Sequence, residues 1–361
     1  MEAFSAKITQ VTGATIATFR LPAKLSTLRK QIGYGTATNS ITRYVVCPAC
    51  HKAFLTSQLP MNRVDDPVQG VVCDHKEFWR NVARCGQQLF ERSSGIRIVP
   101  LKVYAYNSAK QTLPIMFNRP GFIQRAGFKY DVYHGRMWNE LADAAGQRFV
   151  DDDCSLLLTL NVDWFQPFST GRIHSVGAIY LTINNLPGSE RYEPENVILV
   201  GVMPGLKEPS KHQMNHYQRP LVDELLDLIF RYQHRSNTDR RIRAALLMVG
   251  CDIPAARKVS GFTCIGSICP CYKYKRQFPN TPGNNLKRDF SGFSKENIAA
   301  WERRNGGENR VHAEAWRHAS ILDEHAAIEQ QHGTRWTELH RLLYFDAVRC
   351  TVIGDHLEPH V

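Results

Sequence analysis

The sequence predicts an α/β protein: a mixed sheet with flanking helices, preceded by a small cysteine-bearing unit and a helical connector. Three observations carry this reading. Apolar runs at 154–163, 175–186 and 195–205 follow one another between clusters of Gly, Pro, Asn and Ser, as the strands of an antiparallel meander do. The stretch RPLVDELLDLIFRYQ then changes to helical spacing, and a fourth apolar run, IRAALLMVGCD at 242–252, follows it. Upstream, CPACHKAF sets Cys47 and Cys50 at the two-residue spacing of a metal-binding knuckle.

Taken in order, residues 1–43 show no strong periodicity and read as an N-terminal arm. Residues 44–95 form the cysteine-bearing unit. Cys73 and Cys85 can join Cys47 and Cys50 in a four-thiolate, zinc-ribbon-like site, although eleven residues separate them and His75 is an alternative fourth ligand. Residues 96–150 begin extended, IRIVPLKVYAY, and become helical where Phe122, Phe128, Val132, Trp138 and Leu141 recur at helix-like intervals. Residues 151–361 hold the sheet. Its helix has Pro220 at the first turn and a stripe of Leu221, Leu225, Leu226, Leu228 and Ile229. Beyond Asp252 the chain turns loop-rich and basic, then helical from about Lys295 to His340, where His312, His318 and His325 read as exposed helix residues rather than ligands.

Two of the strands end on a carboxylate, Asp163 between Val162 and Trp164, and Asp252 before Ile253-Pro254. A lone acid among large hydrophobes is more often a turn cap, but two at strand ends have a joint meaning. Strand, strand, strand, helix, strand is the layout of a ribonuclease-H-like core, in which the first and fourth strands lie side by side. Neighbouring carboxylates repel, and a divalent cation, Mg²⁺ or Mn²⁺, removes that repulsion and equips the pair for phosphodiester chemistry.

Lysine and arginine total 45 against 34 acids, a net charge of +11, which favours an acidic partner such as nucleic acid. Arg240, Arg241, Lys273, Lys275 and Arg276 are the candidate phosphate contacts, weighed against the ordinary role of charge runs as solvated surface. The start MEAFSAKITQVTG lacks the pattern of a secretion signal, so the ten cysteines read as thiols in a reducing compartment. No run approaches the ~18 apolar residues of a membrane span.

LTLNVDWFQPF, VGAIYLTINNLPGSERYEPENVILVGVMPG and RRIRAALLMVGCDIPAARKVSGF resemble the transposases of CACTA-type (En/Spm-like) DNA transposons, with similarity from about Tyr44 to Cys350. The resemblance implies a ribonuclease-H-like catalytic domain with a metal-binding Asp, Asp, Glu triad whose first two members fall on Asp163 and Asp252. It also implies DNA, the transposon ends, as partner and the nucleus as location. Two departures matter. Where the family carries a further Cys-x-x-Cys pair, Cys271 stands at the first position but Tyr274 at the second, with Cys264 and Cys269 nearby, so this zinc site reads as degenerate. After VRCTVI the chain reads GDHLEPHV. Asp355 and His356 echo the family motif without its spacing, and Glu358 is too close to the end to serve as the third acid. The expectation is a truncated copy, transposase by ancestry and catalytically weak, with a non-catalytic zinc-containing DNA-binding protein as the alternative.

Overall fold

The computed structural model describes residues 40–61, 66–76, 83–94, 97–126, 135–142, 146–152, 154–166, 175–205, 208–230, 242–291 and 298–353. The arm at 1–39, Phe128, Val132, Arg240, Arg241, Asp355, His356 and Glu358 lie outside them. Along the chain the strands are β1 (Ile41–Val46), β2 (Ala53–Leu55), β3 (Phe90–Ser93), β4 (Arg97–Pro100), β5 (Val103–Asn107), β6 (Ser155–Phe165), β7 (Val176–Ile183), β8 (Val197–Met203), β9 (Arg243–Cys251), β10 (Asn280–Thr281), β11 (Asn284–Arg288) and β12 (Thr351–Ile353). The helices used below are α1 (Ala109–Phe117), α2 (Arg136–Glu140), α3 (Met214–Phe230), α4 (Ile253–Ser260), α5 (Gly306–His318), α6 (Leu322–His332) and α7 (Ala347–Cys350).

Eight strands form one mixed sheet in the order β12-β9-β6-β7-β8-β5-β1-β2. β6 runs parallel to β9, and β9 parallel to β12, while β6-β7-β8-β5-β1-β2 are successively antiparallel. The sequence pattern explains the centre. In β6, residues 155–162 are all buried, because helices or loops cover both of its faces and a strand so covered needs apolar side chains throughout. Leu156, Leu158, Leu160 and Val162 join the main core with Leu221 and Leu225 of α3 and Ala255, Ala256 and Val259 of α4. Leu157, on the other face, packs with Ala245, Leu247, Trp138 of α2 and Phe149. The cysteine unit is continuous with this sheet, since Ile41–Val45 of β1 pair with Val103–Asn107 of β5, which in turn pairs with β8.

The structure corrects four local expectations. β6 continues to Phe165, so Asp163 is a strand residue. Helix α3 begins at Met214 and carries Pro220 in its interior. The buried side chains of Met214 and Tyr217 anchor the extra turn and outweigh the hydrogen bond that proline cannot donate. The stretch from Lys295 to His340 is not one helix: α5 starts at the Asn305 cap, whose side chain accepts from the Gly307 and Glu308 amides, and α6 stops at Gly333, left-handed at φ 64. His325 is buried rather than exposed, its ring 4.3 Å from that of Trp316. Among the described residues no helix is long and apolar enough to cross a membrane.

Candidate functional site

The first candidate centre lies at the end of β6 and β9. Their parallel register pairs Leu160 with Val249; Asp163 lies three residues on within β6, and Asp252 stands one residue past the end of β9. Neighbouring strands are about 4.8 Å apart, so both acids leave the same end of this parallel pair. Close approach is built in at Gly250, where an added Cβ would sit 3.1 Å from the Thr159 methyl of β6. Between the acids the Cys251 thiol fastens the strands, accepting from the Val162 amide at 3.2 Å. Burial pushes this thiol up to about 12, and the charges of Asp252 and Asp163 push it the same way. Burial also raises the Tyr180 phenol, with Cys251 and Asp163 adding to it.

Asp252 does two things. Its Oδ1 accepts from the Ala255 amide at 2.8 Å and caps α4, while the residue stays exposed at the rim. The far end of α4 is held as firmly. Gly261, left-handed at φ 81, ends the helix, and the Arg335 guanidinium donates to the carbonyls of Arg257 at 3.2 Å, Lys258 at 3.2 Å and Phe262 at 3.0 Å. Arg335 is 1% exposed, and burial lowers its pKa only to about 10, so it remains a cation. Capped at both ends, α4 fixes the direction in which Asp252 leaves the sheet. β12 reaches the same rim, with Ile353 level with Cys251.

The second centre gathers Cys47, Cys50, Cys73 and Cys85, whose sulfurs all lie within 4.8 Å of one another. Cys47 and Cys85 are 3.7 Å apart, Cys50 and Cys73 3.5 Å. A tetrahedron of sulfurs 2.3 Å from a zinc ion has edges of about 3.8 Å, whereas a disulfide would need about 2.05 Å. Local folding explains why Cys73 and Cys85 meet despite their spacing. The Cys73 amide donates to the Gln87 carbonyl, the Cys85 amide to that of His75, and Gly86, at φ 64, turns the chain to donate to Cys73. The first pair is a tight turn in which the His51 amide donates to the Cys47 carbonyl at 3.0 Å, with His51 itself at φ 60. Hydrogen bonds from the Cys50 and Cys73 thiols pull the Cys47 pKa down, and the same contacts push Cys50 and Cys73 up. Sulfurs this close are the donor set of a soft divalent cation, whose charge stabilises neighbouring thiolates. The cluster can hold a metal such as zinc.

This centre docks on the sheet's own helix. His51 Nδ1 and the Tyr217 hydroxyl of α3 are 2.8 Å apart, and the Gln213 side chain donates to the Ala49 carbonyl at 3.2 Å. Burial lowers His51 to about 4, keeping the ring neutral at this contact.

The other cysteines are arranged differently. Cys264 is exposed, Cys271 half-buried and Cys269 buried. Arg304 lies among them, donating to the Cys269 sulfur at 3.0 Å, to the Cys271 carbonyl at 2.8 Å and to the His332 carbonyl. Among the described residues, Cys47, Cys50, Cys73 and Cys85 are the one group of three or more metal-ligating side chains. A guanidinium thus stands between Cys269 and Cys271.

The candidate DNA contacts divide in the same way. Lys273 Nζ donates to the Val348 carbonyl at 2.5 Å and the Arg349 carbonyl at 3.4 Å, closing the end of α7. Lys275 pairs with Glu302 at 2.6 Å and Glu308 at 2.7 Å. Arg276 is exposed over the rings of Phe278 and Trp301. Sequence reasoning missed the internal use of positive charge. Besides Arg304 and Arg335, Arg310 donates to the carbonyls of His340, Leu342 and Phe345. Nothing in the local sequence marks these arginines, because each serves carbonyls remote in the chain.

No curated protein matches this chain. A family model does match part of it. Residues 131–290, which carry β6 to β9 and both rim aspartates but none of the four clustered cysteines, match the family described as Transposase family tnp2.

Proposed function

We propose that the chain is a transposase-derived, DNA-binding protein whose sheet is a ribonuclease-H-like core and whose Asp163 and Asp252 hold a divalent cation. The observation that carries this reading is the parallel pairing of β6 with β9, which brings Asp163 and Asp252 to the same end of two neighbouring strands, within the stretch that matches the transposase model. The strand order supports it. β9 and β12 flank β6 on one side in parallel, and β7 and β8 flank it on the other as an antiparallel meander. The donor set fits Mg²⁺ or Mn²⁺, hard ions that take carboxylate oxygen, and such an ion would activate a hydroxyl or water for phosphodiester cleavage or strand transfer. The chain's own residues orient the acids: Asp252 through its cap on α4, and both strands through Cys251.

Among the described residues no third carboxylate completes a cluster with these two. By the resemblance alone, this reading takes cleavage by the chain to be weak and DNA binding to be its chief activity. The finer family reading, a CACTA-type element copy working in the nucleus, rests on the resemblance. The four cysteines serve structure, with zinc tying β1 to α3. A supercoiled-plasmid nicking assay in Mn²⁺ together with DNA binding at 50 and 200 mM salt tests the whole. The reading expects binding that falls steeply with salt and little nicking, abolished by Asp163→Asn. Absence of DNA binding at low salt would overturn it.

A further inference from the structure

The lobe between α4 and β12 carries a surface that neither rim nor cysteine centre uses. Residues 273–275 and 302–304 run antiparallel: the Lys275 amide donates to the Glu302 carbonyl, the Arg304 amide to that of Lys273, and Tyr274 pairs with Arg303. Side chains alternate across such a ribbon. On one face Lys273 and Arg304 close carbonyls, and Lys275 pairs with Glu302 and Glu308. That face is electrically satisfied.

The other face carries Tyr274, Arg276, Trp301 and Arg303. Tyr274 packs edge-on to Trp301 at 5.8 Å, and Phe278 continues the aromatic row 6.0 Å from Trp301 and 5.0 Å from Phe290. Phe290 is 47% exposed. The Arg276 guanidinium lies 5.8 Å from the centroids of both Phe278 and Trp301. Arg276 and Arg303 are exposed, as is Lys287 on β11, and among the described residues no acid pairs with any of them. Unneutralised guanidinium groups interleaved with partly exposed rings are the chemistry that tracks a phosphate backbone and stacks unpaired bases. A rigid duplex offers its phosphates to such a surface but keeps its base faces hidden.

We propose that this aromatic and basic face binds an unpaired stretch of DNA, with Arg276 and Arg303 on phosphates or base planes and Phe290 as a stacking surface. The inference rests on the DNA-binding reading above and narrows it to a substrate form. The test uses the full chain and fluorescence anisotropy with two probes, a blunt 30-base-pair duplex and the same duplex with a ten-thymidine 3′ overhang. The overhang is expected to bind about tenfold tighter. The double variant Arg276→Ala/Arg303→Ala should erase that preference and lower the salt slope by one to two (about 0.7 to 0.9 per phosphate contact). Lys275→Ala, on the satisfied face, should leave the preference intact, and Phe290→Ala, a change at a half-exposed site, should reduce it. Equal affinity for both probes, or a preference that survives the double variant, overturns this inference while leaving duplex binding in place. Failure to bind either probe overturns the DNA-binding reading itself.

Discussion

Withdrawing the metal from the four-cysteine centre should loosen the edge of the main sheet as well as the knuckles. Cys47, Cys50 and Cys73 are themselves members of the small buried cluster there, whose remaining members are Val45, Val71, Leu89 and Phe90. Those four side chains contribute about 1.5–3 kcal/mol each on burial. Structural zinc contributes about 10–16 kcal/mol in small domains, as much as or more than the whole apolar cluster. At free zinc a thousandfold above its dissociation constant, the linked stabilisation is about 4 kcal/mol. The loss reaches α3 through the contacts of His51 with Tyr217 and of Gln213 with Ala49, and β5 through its pairing with β1. The assay is elemental mass spectrometry of the purified protein, then thermal unfolding and amide exchange with and without a zinc chelator. One zinc per chain is expected, with a lowered melting temperature and faster exchange in 41–55, 71–76 and 85–90 and in the first turns of α3. Protein purified without stoichiometric metal, or a melting curve indifferent to chelation, would refute the reasoning.

Three further outcomes follow from particular contacts. Arg335→Met keeps volume but removes the buried donor of the Lys258 and Phe262 carbonyls, while the Arg257 carbonyl keeps the Gly261 and Phe262 amides, and should cost about 3 kcal/mol in urea unfolding. Burial, with Arg310 and Arg335 nearby, lowers His340 to about 3, so the folded chain refuses a proton that the unfolded chain takes near pH 6.5. That contribution is complete above pH 6.5 and fades as pH falls toward 3, at about 1.4 kcal/mol per unit, and His340→Gln should flatten the slope by one proton between pH 6.5 and 4.5. Asp252→Ala should cost about 1 kcal/mol through loss of the α4 cap, whereas Asp252→Asn keeps the cap and should leave urea stability nearly unchanged.

What the sequence made legible was local. The apolar runs of β6 to β9, bounded by turn residues, and the paired spacing of Cys47 and Cys50 are signals within ten or so residues, and the structure places each where its pattern implied. That Asp163 and Asp252 share one end of the sheet needed one further step, the assumption that the first and fourth of these strands are neighbours. Pairing of β5 with β8 and β1 was not legible, because hydrogen-bond partners about sixty to a hundred residues apart leave no periodicity behind. Nor was the fate of the positive charge. Arg304, Arg310, Arg335 and Lys273 look like surface cations in sequence, yet each is spent on backbone carbonyls of the lobe, so the net charge of +11 overstates what faces a partner. Pro220 misled for a related reason: a proline marks a helix start only when nothing upstream, such as Met214 and Tyr217, is buried strongly enough to extend the helix past it.

The most direct test of the central claim is Mn²⁺ binding to the zinc-loaded protein, followed by electron paramagnetic resonance, for the wild type, Asp163→Asn and Asp252→Asn. If the two carboxylates share one ion, the wild type binds a single Mn²⁺ and each substitution weakens that binding at least about tenfold, while the Asp252→Asn fold stays intact. Unchanged Mn²⁺ affinity in both variants would contradict the account and leave Asp163 a polar residue at the end of a strand.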